Sequence, residues 1–285
     1  MRKFTPFTLS LRGRELKCDR PLVMGILNVT PDSFYAGCRA TDEDAISMRV
    51  KEIVEQGADV IDIGAYSTRS GAADVTAAEE VARLRRAVEV VKREAPGMAT
   101  SVDTFRAHVA RVAVEELGVD MVNDVSGGSL DDAMFETVAS LQVPYVLMHM
   151  RGTPATMQQL TDYDNVTCDV VEWLGARIEQ LRALGAKDII VDPGFGFSKT
   201  LDQNYELLAG LERFHELEVP LLVGVSRKSM IYKKLGVDPA RALNGTTAVN
   251  TIALMAGAHI IRVHDVREAV EAREIVCATQ RYAIK

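Results

Sequence analysis

Short, nearly continuous apolar runs alternate along the chain with longer stretches whose apolar positions recur every three to four residues. The runs are LVMGIL from Leu22, DVIDIG from Asp59, ATSVD from Ala99 and VDMVND from Val119, followed by VPYVLMH from Val143, DIIVDP from Asp188, PLLVGVS from Pro220 and HIIRVHD from His259. Runs of this kind suit parallel strands covered on both faces. Between them the period becomes helical: Val81, Leu84, Val88 and Val91 share one face, as do Val170, Leu174, Ile178 and Leu181. Four predicted helices end on a glycine and a small apolar residue before the next strand, at Gly57-Ala58, Gly118-Val119, Gly185-Ala186 and Gly257-Ala258. Glycine there suits a left-handed C-terminal cap. Eight units in 285 residues average about 36 residues each, near the size of a strand, a helix and their connections. No linker or low-complexity segment interrupts them, so residues 1–285 read as a single domain.

Eight parallel strands can form a doubly wound sheet or a closed barrel. The first gathers its ligand groups at one switch point. Here nearly every predicted strand ends on a polar residue: Asn28, Asp62, Asp103, Asn123, His149, Asp192, Ser226 and Arg262. A barrel brings all eight strand ends into one mouth, where barrel active sites lie. The expected fold is therefore an α/β (β/α)8 TIM barrel.

Composition narrows the function. The chain is 47% hydrophobic and 26% charged, with a formal net charge of −7. An acidic total disfavours nucleic acid as the main partner but leaves room for a local basic pocket that binds small anions. Cys18, Cys38, Cys168 and Cys277 form no CxxC pair, which points to reduced thiols. The segment MRKFTPFTLSLRGRELK lacks the apolar core of a signal peptide, and no run approaches the roughly 20 apolar residues of a membrane span. A cytoplasmic location is expected.

Several motifs fail on inspection. GFGFSKT at 194–200 resembles a phosphate loop, but Ser198 stands where GxxxxGK[ST] needs glycine before the lysine. No GxGxxG opens a helix, and no HExxH or paired-histidine metal motif occurs. What survives is a set of strand-end groups: Asp103 in SVDT, Asn123 in NDVSGG and Asp192 in DPGFGF. Buried carboxylates sharing a mouth repel one another and lose hydration, so they need donors brought by a partner or ligand. A flat heterocycle with an amino group and ring N–H groups supplies them. Asn123 adds a donor and an acceptor, and Lys228 can cover a ring carbonyl or nitrogen. Arg262 and His264, two apart in IIRVHDV, face the same side of the last strand, and Arg227 and Lys228 follow the seventh. Cations after barrel strands seven and eight lie where phosphate sites recur.

MGILNVTPDSF at 24–34, STR at 67–69, SVDT at 101–104, ND at 123–124, LMHM at 147–150, DPGFGF at 192–197, GVSRKSMI at 224–231 and IIRVHDV at 260–266 resemble dihydropteroate synthase, in order across almost the whole chain. The resemblance implies a transferase of folate biosynthesis. It would join 4-aminobenzoate to 6-hydroxymethyl-7,8-dihydropterin diphosphate, giving 7,8-dihydropteroate and diphosphate. It implies that Asp103, Asn123, Asp192 and Lys228 hold the pterin edge, with Met148 and Phe197 lining the pocket and Arg262 on the pterin face. Asn28, Thr68, Arg262 and His264 would hold the diphosphate, and Asn28 would be the one protein ligand to Mg2+, which takes few protein ligands beside phosphate oxygens. Catalytic roles fall to Lys228, Arg262, His264, Thr68 and Arg69.

The loops Thr30 to Gly37 and Ser67 to Gly71 match lids that complete the 4-aminobenzoate pocket through Phe34, Thr68, Arg69, Ser70 and Ser229. Sulfonamides, which imitate 4-aminobenzoate, are the implied inhibitors. Ala36, Tyr66, Ser70 and Ser198 stand where the family often has Asp, Glu, Pro and Gly. A pterin-binding methyltransferase would share the pterin-edge logic without needing the diphosphate group of Asn28, Arg262 and His264. A non-catalytic paralogue would be expected to lose Thr68, Arg69, Lys228 and Ser229, all of which are present. Finally, no charged residue lies between Arg241 and Arg262, so the seventh barrel helix is expected to be covered in a homodimer.

Overall fold

The computed structural model describes residues 2–30, 39–66 and 75–282, with backbone only for 39–42. Phe34, Ala36, Thr68, Arg69 and Ser70 lie outside the described residues.

Eight parallel strands are observed where the eight apolar runs predict them: β3 (Leu22–Asn28), β4 (Val60–Gly64), β5 (Ala99–Asp103), β6 (Met121–Asp124), β7 (Tyr145–Met148), β8 (Ile189–Asp192), β9 (Leu222–Val223) and β10 (Ile260–Val263). Their order, β8-β7-β6-β5-β4-β3-β10-β9, is that of an opened ring. A parallel bridge between Val191 and Leu221 joins its two ends, so the strands form the expected TIM barrel. Outside run α1 (Arg39–Glu55), α2 (Ala77–Glu94), α3 (Ala107–Glu115), α4 (Met134–Leu141), α5 (Val166–Ala183) and α6 (Leu201–Ala209). Two helices, α7 (Ser229–Leu235) and α8 (Leu243–Met255), separate β9 from β10, and α9 (Val266–Gln280) follows.

The faces read from periodicity hold. Val170, Leu174, Ile178 and Leu181 of α5 are buried, as are Leu84, Val88 and Val91 of α2, while Val81 packs half-buried against the same core. The four helix-end glycines have φ of 88°, 72°, 92° and 92°, as a left-handed cap requires.

Strand alternation then decides the character of the barrel interior. Val23, Ile61, Val102 and Ile261 point outward into the helix layer. Leu22, Val60, Ala99, Met121, Ile190 and Ile260 instead form a separate apolar layer inside the lower barrel. Two residues further along come Asp62, Ser101, Asn123, Asp192 and Arg262, so on these strands the interior turns polar within one step of the pleat, while Met24 of β3 stays in the apolar layer.

One element lay beyond the sequence reading. β1 (Phe7–Leu11) and β2 (Arg14–Cys18) form an antiparallel hairpin that turns at Arg12 and Gly13, with φ of 47° and 88°. Its Leu9, Leu11 and Cys18 join the lower apolar layer and are almost fully buried. The hairpin is the floor of the barrel.

Candidate active site

At the polar end of the interior, Arg262 from β10 spans two carboxylates. Its Nε donates to Asp62 Oδ2 at 2.6 Å and its Nη2 to Asp103 Oδ2 at 2.7 Å. Asn123 Nδ2 donates to the same oxygen of Asp62 at 3.0 Å. Asp62 is fully buried, and its Oδ1 has no hydrogen-bond partner among the described residues. Burial pushes the Asp103 carboxyl up to about 7; Arg262 pulls it down, and neighbouring Asp62 pushes it up again. Burial alone would lower the Arg262 guanidinium, but Asp62 and Asp103 outweigh that and raise it.

Arg262 is thus a partner that brings donors to two strand-end carboxylates. Asp103 shares its cation with Asp62, and Arg262 lies across them with Nη1 making no hydrogen bond among the described residues. Sequence reasoning noted Asp62 as a strand end but left it out of the site. The available signal was its parity with Val60, which places it inside the barrel.

Asp192, which ends β8, stands beside Lys228. Its Oδ1 accepts from the Gly194 amide at 2.8 Å. A Cβ on Gly224 would stand 3.7 Å from Asp192 Oδ2, 3.8 Å from Arg262 Cβ and 4.0 Å from Lys228 Nζ, so these groups converge on one space. Lys228 Nζ donates to the Phe195 carbonyl at 2.6 Å and lies 4.7 Å from the centre of the Phe197 ring. Burial lowers Lys228 to about 8, against the pull of Asp192, and burial also raises Asp192, with Lys228 the largest opposing influence. Met148 and Phe197 share an apolar cluster with Val125, Met150 and Met157. Ser229 opens α7 directly after Lys228.

Asn28 ends β3, and its side chain makes no hydrogen bond among the described residues. A Cβ on Gly64 would lie 3.2 Å from Asn28 Oδ1 and 3.7 Å from Asp103 Oδ2, which places that amide oxygen at the edge of the same mouth. His264 is anchored twice by Ser226 Oγ, at 3.1 Å through its amide and 3.2 Å through Nδ1. Arg49 Nη2 donates to its carbonyl at 2.5 Å. Burial and the charge of Arg262 lower the imidazole to about 4, so it is neutral near pH 7.

One expected cation does not face the mouth. Arg227, at φ 54°, makes a fork with Asp265, Nη2 to Oδ1 at 2.8 Å and Nε to Oδ2 at 2.9 Å. Its Nη1 donates to the carbonyls of Pro239 and Ala240. Two carbonyls and a carboxylate satisfy the guanidinium locally, which makes it a strut behind Lys228.

Two departures from the family pattern have physical accounts. Ser198 has φ 52°, where glycine is at ease, and its Oγ offsets the strain by accepting from Arg151 N and donating to Arg151 O, both at 2.9 Å. Tyr66 packs edge-on against Phe105 at 5.1 Å, with Arg106 at 5.1 Å from the tyrosine ring.

The pattern of the pterin binding enzyme family matches residues 24–264. The chain is 44% identical over 274 residues to the dihydropteroate synthase of Escherichia coli strain K12, across 95% of this chain and 96% of that one. The Yersinia pestis dihydropteroate synthase, solved with a sulfonamide drug, superposes with a TM-score of 0.89 at 41% identity, covering 97% of this chain and 100% of that one. The Xanthomonas albilineans dihydropteroate synthase, solved with 4-aminobenzoic acid, gives 0.88 at 40% identity, with 98% and 100% covered. With a barrel mouth of this make-up and likeness over nearly its full length, the chain belongs to the dihydropteroate synthase family of pterin-binding enzymes.

Proposed function

We propose that this chain condenses 6-hydroxymethyl-7,8-dihydropterin diphosphate with 4-aminobenzoate, releasing 7,8-dihydropteroate and diphosphate. The carrying observation is the convergence of Asp62, Asp103, Asn123, Asp192, Lys228 and Arg262 on one mouth in a chain of this family. The unpartnered Asp62 Oδ1 and the carboxylates of Asp103 and Asp192 are acceptors for the amino and ring N–H groups of a pterin. Asn123 supplies its amide and Lys228 its ammonium to the ring carbonyl and nitrogen, with Met148 and Phe197 against the ring. Arg262 has Nη1 and its π-face to offer, so it lies over the pterin and reaches toward the diphosphate.

In the reaction, the bond from the pterin methylene to diphosphate oxygen breaks, and the arylamine nitrogen bonds to that carbon. The amine proton leaves with diphosphate or to solvent. An aromatic amine is nucleophilic without a strong base, so these side chains position and stabilise charge. Arg262 and Lys228 are the cations of the described mouth, and neutral His264 contributes hydrogen bonding. Thr68, Arg69, Ser70, Phe34 and Ser229 are proposed for the 4-aminobenzoate side, where sulfonamides would compete. Closure over the mouth would keep water from the cationic methylene.

Mg2+ fits the donors present. Among the described residues the Asn28 amide oxygen has no hydrogen-bond partner, and no group of three or more His, Cys, Asp or Glu able to hold a metal occurs. A single protein oxygen suits an ion whose other ligands are phosphate oxygens and water. When bound, the ion would neutralise charge developing on the departing diphosphate.

A homodimer through α8 is proposed as well. Ile252 on α8 is 48% exposed, Met255 42%, and Ile275 on the adjacent α9 68%. Light scattering is expected to give twice the chain mass at micromolar concentration; a monomer would refute it. Cys18, Cys168 and Cys277 are free thiols, which supports a reducing, cytoplasmic setting. Among the described residues no helix is long and apolar enough to cross a membrane.

Diphosphate release from the pterin diphosphate, measured with and without 4-aminobenzoate and Mg2+, tests the central reading. Release that depends on 4-aminobenzoate, together with dihydropteroate formation, is expected. No product under those conditions would overturn it.

A further inference from the structure

The segment GFGFSK at 194–199 is not a phosphate loop, and its lysine has no part in the reading above. Lys199 is only 3% exposed, and no carboxylate lies within ion-pairing distance of its Nζ among the described residues. Instead Nζ meets three partners at 3.0 Å: His149 Nδ1 and the carbonyls of Gly194 and Phe197. As an ammonium, Nζ matches these three partners with its three N–H bonds, and His149 is the Nε2–H tautomer. Burial pushes Lys199 well below the usual lysine range against the pull of Asp192. As a neutral amine it keeps both carbonyls and accepts from Nδ1–H instead. Burial, with Lys199 beside it, holds His149 neutral.

These bonds join two elements of the mouth. His149 follows β7, whereas Gly194 and Phe197 belong to the loop after β8. The loop lies so close that a Cβ on Gly194 would stand 2.0 Å from the His149 carbonyl. Ser198 adds its two bonds to the Arg151 backbone, and Tyr163 Oη donates to the Ser198 carbonyl at 2.9 Å. The segment tied down in this way carries much of the pterin side of the site. Gly194 N holds Asp192, Phe195 O holds Lys228, and the Phe197 ring faces the Lys228 ammonium.

We propose that Lys199, paired with His149, is a positioning residue for pterin recognition: it fixes the loop at 194–197 so that Asp192, Lys228 and Phe197 are already arranged before substrate arrives. The proposal rests on the pterin reading of the mouth. A buried lysine with no ion-pair partner is costly to hold charged, and a neutral residue of similar length would fill most of the same space. What the neutral residue cannot do is satisfy two loop carbonyls and an imidazole nitrogen together. Freed carbonyls would rotate toward water and carry Lys228 and Phe197 with them.

The test is Lys199→Met, with binding of 6-hydroxymethylpterin by calorimetry, KM for each substrate, and Tm. Pterin affinity is expected to fall at least about tenfold and KM for the pterin diphosphate to rise alike, while KM for 4-aminobenzoate stays within about twofold. A lower Tm with unchanged pterin affinity would overturn the proposal, because that is the signature of a merely structural lysine. A wild-type protein that binds no pterin removes both the reading of the mouth and this inference, and is recognised before any variant is made. Should Lys199→Met not fold, His149 decides. In His149→Asn the amide oxygen can stand where Nδ1 stands, and affinity within about twofold of wild type is expected; in His149→Leu a loss of roughly three- to tenfold is expected. Wild-type affinity in His149→Leu would sink the proposal.

Discussion

Asp62→Asn is the sharpest test of the pterin edge, because the substitution changes charge and polarity while barely changing shape. In the wild type, Asp62 Oδ2 takes hydrogen bonds from Arg262 Nε at 2.6 Å and Asn123 Nδ2 at 3.0 Å, and Oδ1 is a buried acceptor without a partner. An asparagine would keep its oxygen on Arg262 and Asn123, and its amide nitrogen would then replace Oδ1. A pterin N–H approaching that position would meet a donor instead of an acceptor. A hydrogen bond to a charged group contributes about 1.5–3 kcal/mol, and an unmatched buried donor costs a further part of that. The combined loss should be about 2–3 kcal/mol, roughly 30- to 150-fold in Kd. Stability should move little, because removing a buried charge offsets the weaker bond to Arg262, which still has Asp103. Calorimetry with 6-hydroxymethylpterin, alongside thermal unfolding, reads both quantities. Wild-type affinity in a folded Asp62→Asn protein would refute the placement of Asp62 on the pterin edge.

The remaining predictions are independent of one another. Binding requires Asp103 ionised and Lys228 protonated, so kcat/KM for the pterin diphosphate should fall as pH drops through about 7 and again as it rises through about 8; Asp103→Asn should remove the acid limb, and an acid limb that persists would exclude Asp103 as its origin. Asn28→Ala should raise the Mg2+ concentration needed for half-maximal rate about tenfold or more while leaving 6-hydroxymethylpterin binding within about twofold; an unchanged Mg2+ requirement would remove Asn28 as a ligand. Leu9→Ala empties a site in the barrel floor and should cost about 2–5 kcal/mol in denaturant unfolding with both KM values unchanged. A loss below about 1 kcal/mol would mean that the hairpin is not integral to the core.

How much of this was legible beforehand follows from the range over which each signal acts. Strand positions, helix faces and glycine caps rest on periodicities and backbone preferences within a few residues, so the sequence by itself determined the eight βα units. It also placed a polar residue at or near the mouth end of each strand, and the order of the motifs carried the family. The hairpin floor was missed because Phe7, Leu9 and Leu11 alternate over only five residues, and their burial depends on a layer built from strands far along the chain. Only the tertiary structure decided which strand ends meet. Asp62 and Arg262 are 200 residues apart and touch because the ring brings β3 between β4 and β10. Arg227 turned away from the mouth because its φ of 54° and the nearness of Asp265 direct its side chain there, neither of which is written in the local pattern SRKS. Lys199, a residue type normally solvated, lies inside because three polar partners from two different loops meet where its side chain ends. Local sequence supplies the groups and their spacing; closure of the barrel supplies their partners, burial and charge states, because those are properties of pairs distant along the chain.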